Sequence, residues 1–355
     1  MLLRSLVYKN YRGLKDEATK FGCVNHIIGK NGSGKTSIVE ASVMLLNGRS
    51  FQGMPLKNLL NNEKKSFRLY GTVQHKKEKT DDISLAFDNG KKDHKLNDKR
   101  LGQQKAHKAF PLCLIDTNVI QVSSGQPNYR RDLLDRAVFH VEPQHVTNHK
   151  KLKKCLSQRN KAIIRGENIR TIQCWDETLA EVGESISKAR RRLVSESQES
   201  IAMISKELLG KSLSINYKKG WEEESYIESL KNNISKDMVI KRTSSGPQKD
   251  DYVIKTPNNK IKGYYSHGQE KLASISLMLG LNLAVEKRKN SSSIIIIDEA
   301  ESGLDENSTS KLIMILKSLK NQLLITSLPH HNIVNMIKGN ILTASQKQTV
   351  DFDII

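Results

Sequence analysis

Gly29-Lys-Asn-Gly-Ser-Gly34-Lys35-Thr36 places glycines, one lysine and one hydroxyl at the spacing of a phosphate-binding loop. Glycines let the backbone turn tightly enough for several N–H groups to converge on one anion. A following helix adds the positive end of its dipole. In that chemistry Lys35 reaches the β- and γ-phosphates and the Thr36 hydroxyl ligates Mg²⁺. Gly29, Lys30, Asn31, Gly32, Ser33, Gly34, Lys35, Thr36 and Ser37 are therefore the expected ATP-binding segment. A second cluster stands far along the chain, where Ile294-Ile-Ile-Ile is followed by Asp298-Glu299. Taken alone, the acidic pair would also suit a helix N-cap after a strand. In a chain with a phosphate loop, Asp298 is expected to hold Mg²⁺ beside Thr36. Glu299 is expected to orient or deprotonate an attacking water, with Lys35 as its catalytic partner.

These residues need strands and helices to hold them. Val24–Ile28 reads as a short buried strand leading into the loop, and Ser37–Leu46 as the helix leaving it. Leu2–Tyr11, Phe67–His75 and Ile83–Phe87 read as further strands, with Asn89-Gly90 as a hairpin turn. His94–Lys108 is polar, basic and without period, so it reads as a loop. From Glu142 the texture becomes helical. Val146, Leu152, Leu156 and Ile163 form one face, while Lys150, Lys151, Lys153, Lys154, Arg159 and Lys161 crowd the rest.

Ile172, Trp175, Leu179, Val182, Ile186, Ala189 and Leu193 step by threes and fours, and Ser197, Ile201, Ile204 and Leu208 resume the pattern. Sustained heptads predict a coiled-coil-like helix, with Gly166–Asn168 as the turn of an antiparallel pair. Two helices lying flat in a bundle would satisfy the same pattern. Strand signals return at Ser212–Tyr217 and Tyr252–Lys255. Then follow a helix (Glu270–Lys287), a strand (Ser293–Ile297), a helix (Ser308–Leu319) and a strand (Gln322–Thr326). That alternation continues a parallel sheet begun at the phosphate loop. The expected organisation is a split α/β head, residues 1–140 and 211–355, with a helical arm at 141–210.

Composition narrows the partners. The chain has 355 residues with 37% hydrophobic and 27% charged, enough for a sizeable core beneath a solvated surface. No run approaches a membrane span, and the N-terminus lacks a secretory core region, which predicts a cytoplasmic protein without a membrane partner. Cys23, Cys113, Cys155 and Cys174 are scattered and read as reduced thiols. Lys and Arg number 58 against 38 Asp and Glu, a formal net charge of +20. An ATP-binding domain alone has no use for that excess, whereas an anionic polymer such as DNA does.

Tyr264-Tyr-Ser266-His267-Gly268-Gln269-Glu270 opens a helix ahead of the acidic strand and resembles the signature motif of ABC-type ATPases. Ser302-Gly303-Leu304-Asp305 resembles their D-loop. In such proteins one subunit's signature closes over the phosphates held by the other's loop. The whole series is similar to the RecF family, SMC-like ATPases of bacterial recombinational repair. The similarity is carried by Asn10-Tyr-Arg12, Gly48-Arg-Ser-Phe51, Gln126-Pro-Asn-Tyr-Arg130-Arg131-Asp-Leu-Leu-Asp135-Arg136, Ser245-Gly-Pro-Gln-Lys-Asp250-Asp251 and Ile297–Asp305. It implies an ABC/SMC-type P-loop head with an inserted short helical arm, dimerising on ATP. It implies a slow, DNA-stimulated ATPase that binds single- and double-stranded DNA at gaps or junctions. RecO- and RecR-type mediators and a RecA recombinase are the implied partners.

By the same resemblance Arg12 lies near the nucleotide, Ser266, Gly268 and Gln269 act in trans, and Asp305 couples the two sites. Tyr265 and His267 depart from the usual signature. No switch histidine follows the last core strand directly; Ser327 stands there, with His330 and His331 a turn later. Gln121 is a candidate Q-loop residue. Two other readings fit parts of the pattern: a transporter ATP-binding subunit, and a DNA-binding structural module whose ATPase has decayed. The first leaves the charge unexplained, the second the intact Lys35, Thr36, Asp298 and Glu299.

Overall fold

The computed structural model describes residues 1–61, 64–75, 79–257, 261, 264–300, 302–329, 333–344 and 352–353. By internal contacts the chain divides into two units, residues 1–119 with 290–355, and residues 120–289.

The first unit opens with β1 (Leu2–Lys9), β2 (Glu17–Lys20), β3 (Val24–Ile28), α1 (Lys35–Asn47), β4 (Ser66–Gln74), β5 (Thr80–Asp88), β6 (Lys91–Leu96), β7 (Lys99–Arg100), α2 (Gln103–Ala109) and β8 (Leu112–Ile115). The second unit holds α3 (Pro127–Val141), α4 (His145–Ile164), α5 (Ile169–Gln173), α6 (Asp176–Leu209), β9 (Ser214–Lys218), α7 (Tyr226–Asn232), α8 (Ile234–Ile240), β10 (Asp251–Lys255) and α9 (His267–Lys289). The chain then returns to the first unit with β11 (Ile294–Ile297), α10 (Glu306–Ser318), β12 (Gln322–Ser327), α11 (Ile333–Met336), β13 (Asn340–Thr343) and β14 (Phe352–Asp353).

Two sheets organise the first unit. One is antiparallel in the order β2-β1-β4-β5-β6-β7; the other runs β14-β13-β3-β12-β11-β8, parallel except at β14. Ile294 to Ile297 are all buried, as a central parallel strand covered on both faces requires. Gln322 ties the sheets together: its Oε1 accepts from Leu3 N–H at 2.7 Å and its Nε2 donates to Leu3 C=O at 2.8 Å.

The stretch expected to be a loop, His94–Lys108, is instead part of β6, the short β7 and α2. Its β6 register runs Ile83↔Leu96 to Asp88↔Lys91 along β5. Sequence period fails there because the strand lies near the sheet edge and carries the charges that edge strands use against mispairing. Tight turns set the register. Asn89 and Gly90 both have positive φ (46° and 80°), as do Asn97 and Asp98 (47° and 61°), the requirement of two-residue hairpins.

In the second unit, α6 is one continuous helix of 34 residues. Its N-terminal half packs Leu179, Val182 and Ile186 with Leu152 and Cys155 of α4 and with Tyr226 and Leu230 of α7. Its C-terminal half packs Leu193, Val194 and Ile201 with Ala273, Leu277 and Leu281 of α9. The buried face is wider than a heptad seam, because Gly183, Ser187, Arg190 and Ser205 are buried too. Lys150, Lys151, Lys153, Lys154 and Lys161 are exposed as expected, but Arg159 points inward and is fully buried.

The two RecF-like segments of this unit meet inside it. Arg130 grips Asp251 bidentately, Nε–Oδ1 at 2.6 Å and Nη2–Oδ2 at 2.8 Å. Arg131 donates to the Asp250 carbonyl at 3.0 Å, and Arg190 bridges Asp135 and Asp250 at 2.8 Å each. These arginines brace the fold. Burial would push the Asp251 carboxyl up, but the Arg130 bond, the Tyr252 N–H and the nearby Arg charges hold it below its ordinary value. A carboxylate with a lowered folded pKa stabilises above its unfolded value, about 3.9. That contribution drains away as pH falls through the folded pKa, within roughly the pH 5 to 1 window. Arg130→Met should therefore flatten the acid limb of a plot of urea midpoint against pH; an unchanged limb would count against the pair.

Candidate nucleotide-binding site

Parallel register builds this site. β3 ends at Ile28 and feeds the glycine-rich turn, and α1 begins at Lys35. Gly34 is the N-cap of α1 with φ 103°, a conformation a side chain would strain. A Cβ on Gly29 would lie 2.3 Å from Ser33 Oγ and 2.6 Å from Ala344 C=O, so only glycine fits that close turn. Among the described residues no side chain caps α1, and no acidic residue sits in its first turn, which leaves its N-terminal N–H groups available to an anion.

A cavity of about 260 Å³ lies over this turn, lined by Arg12, Gly13, Asn31, Gly32, Ser33, Gly34, Lys35, Thr36, Ser37 and Glu299. Nearly all of the expected binding segment is thus gathered around one space. Gly29 and Lys30 form the floor of the turn, where their carbonyls accept from Lys35 Nζ at 2.8 and 3.1 Å.

β11 brings the acidic pair to the same place. Ile297 pairs with Ile325 of β12 and with Ile115 of β8, so the chain leaves the sheet at its carboxyl edge. Asp298 is buried, and its Oδ1 accepts from Thr36 Oγ1 at 3.3 Å and from Thr326 Oγ1 at 2.7 Å. The Thr326 hydroxyl in turn accepts from Glu299 N–H at 2.7 Å. One hydroxyl therefore holds the Asp298 carboxylate and the Glu299 backbone. Its signal in the sequence was the alignment of two parallel strand ends, which single-motif reading overlooks. Thr36 and Asp298 present only oxygen, a donor set suited to a hard cation such as Mg²⁺. Glu299 has φ 55°, in the left-handed region, a strain that functional turns retain.

Arg12 is placed by its neighbours. Tyr11 is fully buried and meets Phe67 edge-on at 5.2 Å, while Arg12 N–H donates to Leu59 C=O at 2.9 Å. Its Nη2 donates to Gln52 Oε1 at 3.3 Å. Buried Glu40 on α1 lies close by; its carboxyl is pushed up by burial, which Ser50 and the Arg12 charge only partly offset.

The remaining expected residues lie elsewhere. Asp305 caps α10, its Oδ1 accepting from Ser308 N–H at 2.7 Å, a bond that holds its carboxyl below the ordinary range. Ser266 and Gln269 cap α9 reciprocally: Ser266 N–H donates to Gln269 Oε1 at 3.1 Å and Gln269 N–H to Ser266 Oγ at 3.4 Å. Gly268 lies in the first turn of that helix, in the second unit, as does Gln121 on a short 3₁₀ turn. His330 and His331 fall outside the described residues.

Among known proteins, the family model described as the RecF/RecN/SMC N terminal domain matches residues 2–351. The DNA replication and repair protein RecF of Shigella boydii serotype 4 (strain Sb227) is 30% identical over 353 residues, 96% of each chain. The RecF of Escherichia coli (strain K12 / DH10B) matches over the same length at the same identity. A solved structure of the recombination mediator protein RecF with ATP, of the RecFOR pathway, superposes with a TM-score of 0.85 at 25% identity, covering 99% of each chain. An SMC head bound to the C-terminal winged-helix domain of ScpA gives 0.61 at 14% identity, over 97% of this chain and 94% of that one, a likeness of fold. The fold is that of the ABC/SMC-type ATPase heads, and the chain belongs to the RecF family.

Proposed function

We propose that this chain is an ATP-dependent DNA-binding protein of recombinational repair and replication. It dimerises on ATP, binds single- and double-stranded DNA at gaps or junctions, and assists RecO- and RecR-type mediators in loading a RecA recombinase. The observation that carries this reading is the convergence of Lys35, Thr36 and Glu299 on one cavity, with Asp298 bonded to Thr36, in a RecF-family chain of +20 charge. A bound triphosphate would meet the free N–H groups of α1 and the Lys35 ammonium, with Mg²⁺ held by Thr36 and Asp298. Glu299 would take the proton of an attacking water. Arg12 would face the nucleotide from the cavity's other wall. Ser266, Gly268 and Gln269 would complete the site from a second copy, and Asp305 would couple the two sites. The head halves would then be residues 1–140 and 211–355 and the helical arm 141–210, in a cytoplasmic protein without a membrane partner.

Glu299→Gln should lower ATP turnover by about 10²–10⁴-fold, the usual contribution of a general base. ATP binding should persist. Steady-state phosphate release measures this, and an unchanged rate would remove Glu299 from the chemistry. The DNA half of the proposal is tested by fluorescence anisotropy on gapped and duplex DNA across a salt series, with and without ATP. Affinity should rise with ATP and fall linearly in log–log form with salt, the slope counting phosphates neutralised. Binding that ignores both ATP and salt would overturn it.

A further inference from the structure

In the second unit, α3 and α4 bring together three ligand-type side chains that no part of the ATPase reading uses. His145 and His149 stand four apart on α4, so both rings leave the same face of the helix. Asp135 reaches them from α3. His145 Nε2 lies 2.9 Å from Asp135 Oδ1, His149 Nε2 lies 3.2 Å from the same oxygen, and the two Nε2 atoms are 3.1 Å apart. We propose that Asp135, His145 and His149 form a binding site for a divalent transition-metal ion of the zinc type.

The geometry suits an ion that all three side chains could share. Three heteroatoms stand at the corners of a nearly equilateral triangle with edges of 2.9, 3.2 and 3.1 Å. The two Nε2 atoms bring at most two protons to its three edges. Both N–H groups can point at Asp135 Oδ1, which leaves the 3.1 Å edge between the two nitrogens without a hydrogen bond. A zinc ion about 2.0–2.2 Å from each atom resolves this, since tetrahedral ligands around it stand roughly 3.3 Å apart. The corners need to open by only a few tenths of an ångström.

The surroundings supply what a metal site needs beyond its ligands. Arg190 binds both oxygens of Asp135 at 2.8 Å, which fixes the carboxylate's direction and leaves Oδ1 facing the histidines. Arg190 also pairs with Asp250, which ties the Asp135 carboxylate into the arginine–aspartate network of this unit. Phe139 walls the cluster, its ring 5.2 Å from His145 and 5.9 Å from His149 between centroids. The side chain of His145 is 1% exposed and that of His149 is 27% exposed, so an ion and its fourth ligand, a water, can enter past His149. A bound ion would fasten the corner between α3 and α4, adding to stability by mass action.

The test uses the full chain without an affinity tag, stripped with EDTA, free of nucleotide, and titrated with ZnCl₂ against a chromogenic chelator. Wild type should take up one equivalent more than His149→Ala, and its melting temperature should rise with zinc while the variant's does not. Cobalt(II) in place of zinc should give a visible d–d band in wild type that the variant lacks. His149→Asn, which keeps a polar side chain of similar reach, guards against misfolding of the alanine variant, and metal-free circular dichroism checks both. Exposed Cys23 and Cys174 remain in every variant, so any uptake by them cancels in the comparison. Equal zinc uptake by wild type and both folded variants, or none by wild type, would overturn the site.

Discussion

Lys35→Ala should abolish ATP binding at working concentrations. Lys35 is the one lysine of the phosphate loop held inward, 6% exposed, with its ammonium against the Gly29 and Lys30 carbonyls. Removing one partner of a desolvated charge pair costs about 2–5 kcal/mol. That is roughly a thirty- to several-thousandfold loss of affinity. The fold should survive, because the lysine bonds only the loop that it helps to shape. Titration calorimetry with ATP and Mg²⁺ measures the loss, and thermal melting without nucleotide checks the fold. A variant that binds within threefold of wild type would show that the loop does not hold the triphosphate as proposed.

The largest effect on stability is expected in the second unit. Arg159 is 0% exposed and makes three contacts inside the second unit: Nε to Asp176 Oδ1 at 2.8 Å, and Nη1 to Asp237 Oδ2 at 2.7 Å and to Thr243 Oγ1 at 2.8 Å. Asp237 also accepts from Ser244 N–H at 2.8 Å, so one guanidinium joins α4, the start of α6, α8 and the segment after it. Arg159→Ala leaves two buried carboxylates without their counter-charge and should cost about 3–5 kcal/mol. Urea unfolding of wild type and variant at neutral pH measures this. A loss below about 1 kcal/mol, the size of an exposed pair, would mean that the carboxylates find water instead.

How far the sequence could be read depends on how local each constraint is. The phosphate loop and Asp298-Glu299 were legible because their geometry is written in adjacent residues: glycines where φ must be positive, a lysine and a hydroxyl at fixed steps, and four isoleucines that only a doubly covered strand accommodates. α6 was legible because its apolar steps persist over 34 residues. What escaped depends on residues distant in sequence. Arg159 looked like part of a solvated lysine face, because its carboxylates lie 17 and 78 residues away. The role of Thr326 exists only through the pairing of β11 with β12. β6 escaped because charges on a near-edge strand hide the alternation of two, although Asn97-Asp98 announced its turn. The His145–His149 spacing was readable, but without Asp135 ten residues upstream it means little.

On the proposed function, ATP closes two copies of this chain around the proposed sites. Sedimentation velocity of wild type and Glu299→Gln, each with and without ATP and Mg²⁺, tests it most directly. Monomer is expected without nucleotide, with a dimer fraction that rises with ATP and a larger, longer-lived dimer fraction in Glu299→Gln. Equal dimer fractions with and without ATP in both proteins would contradict it.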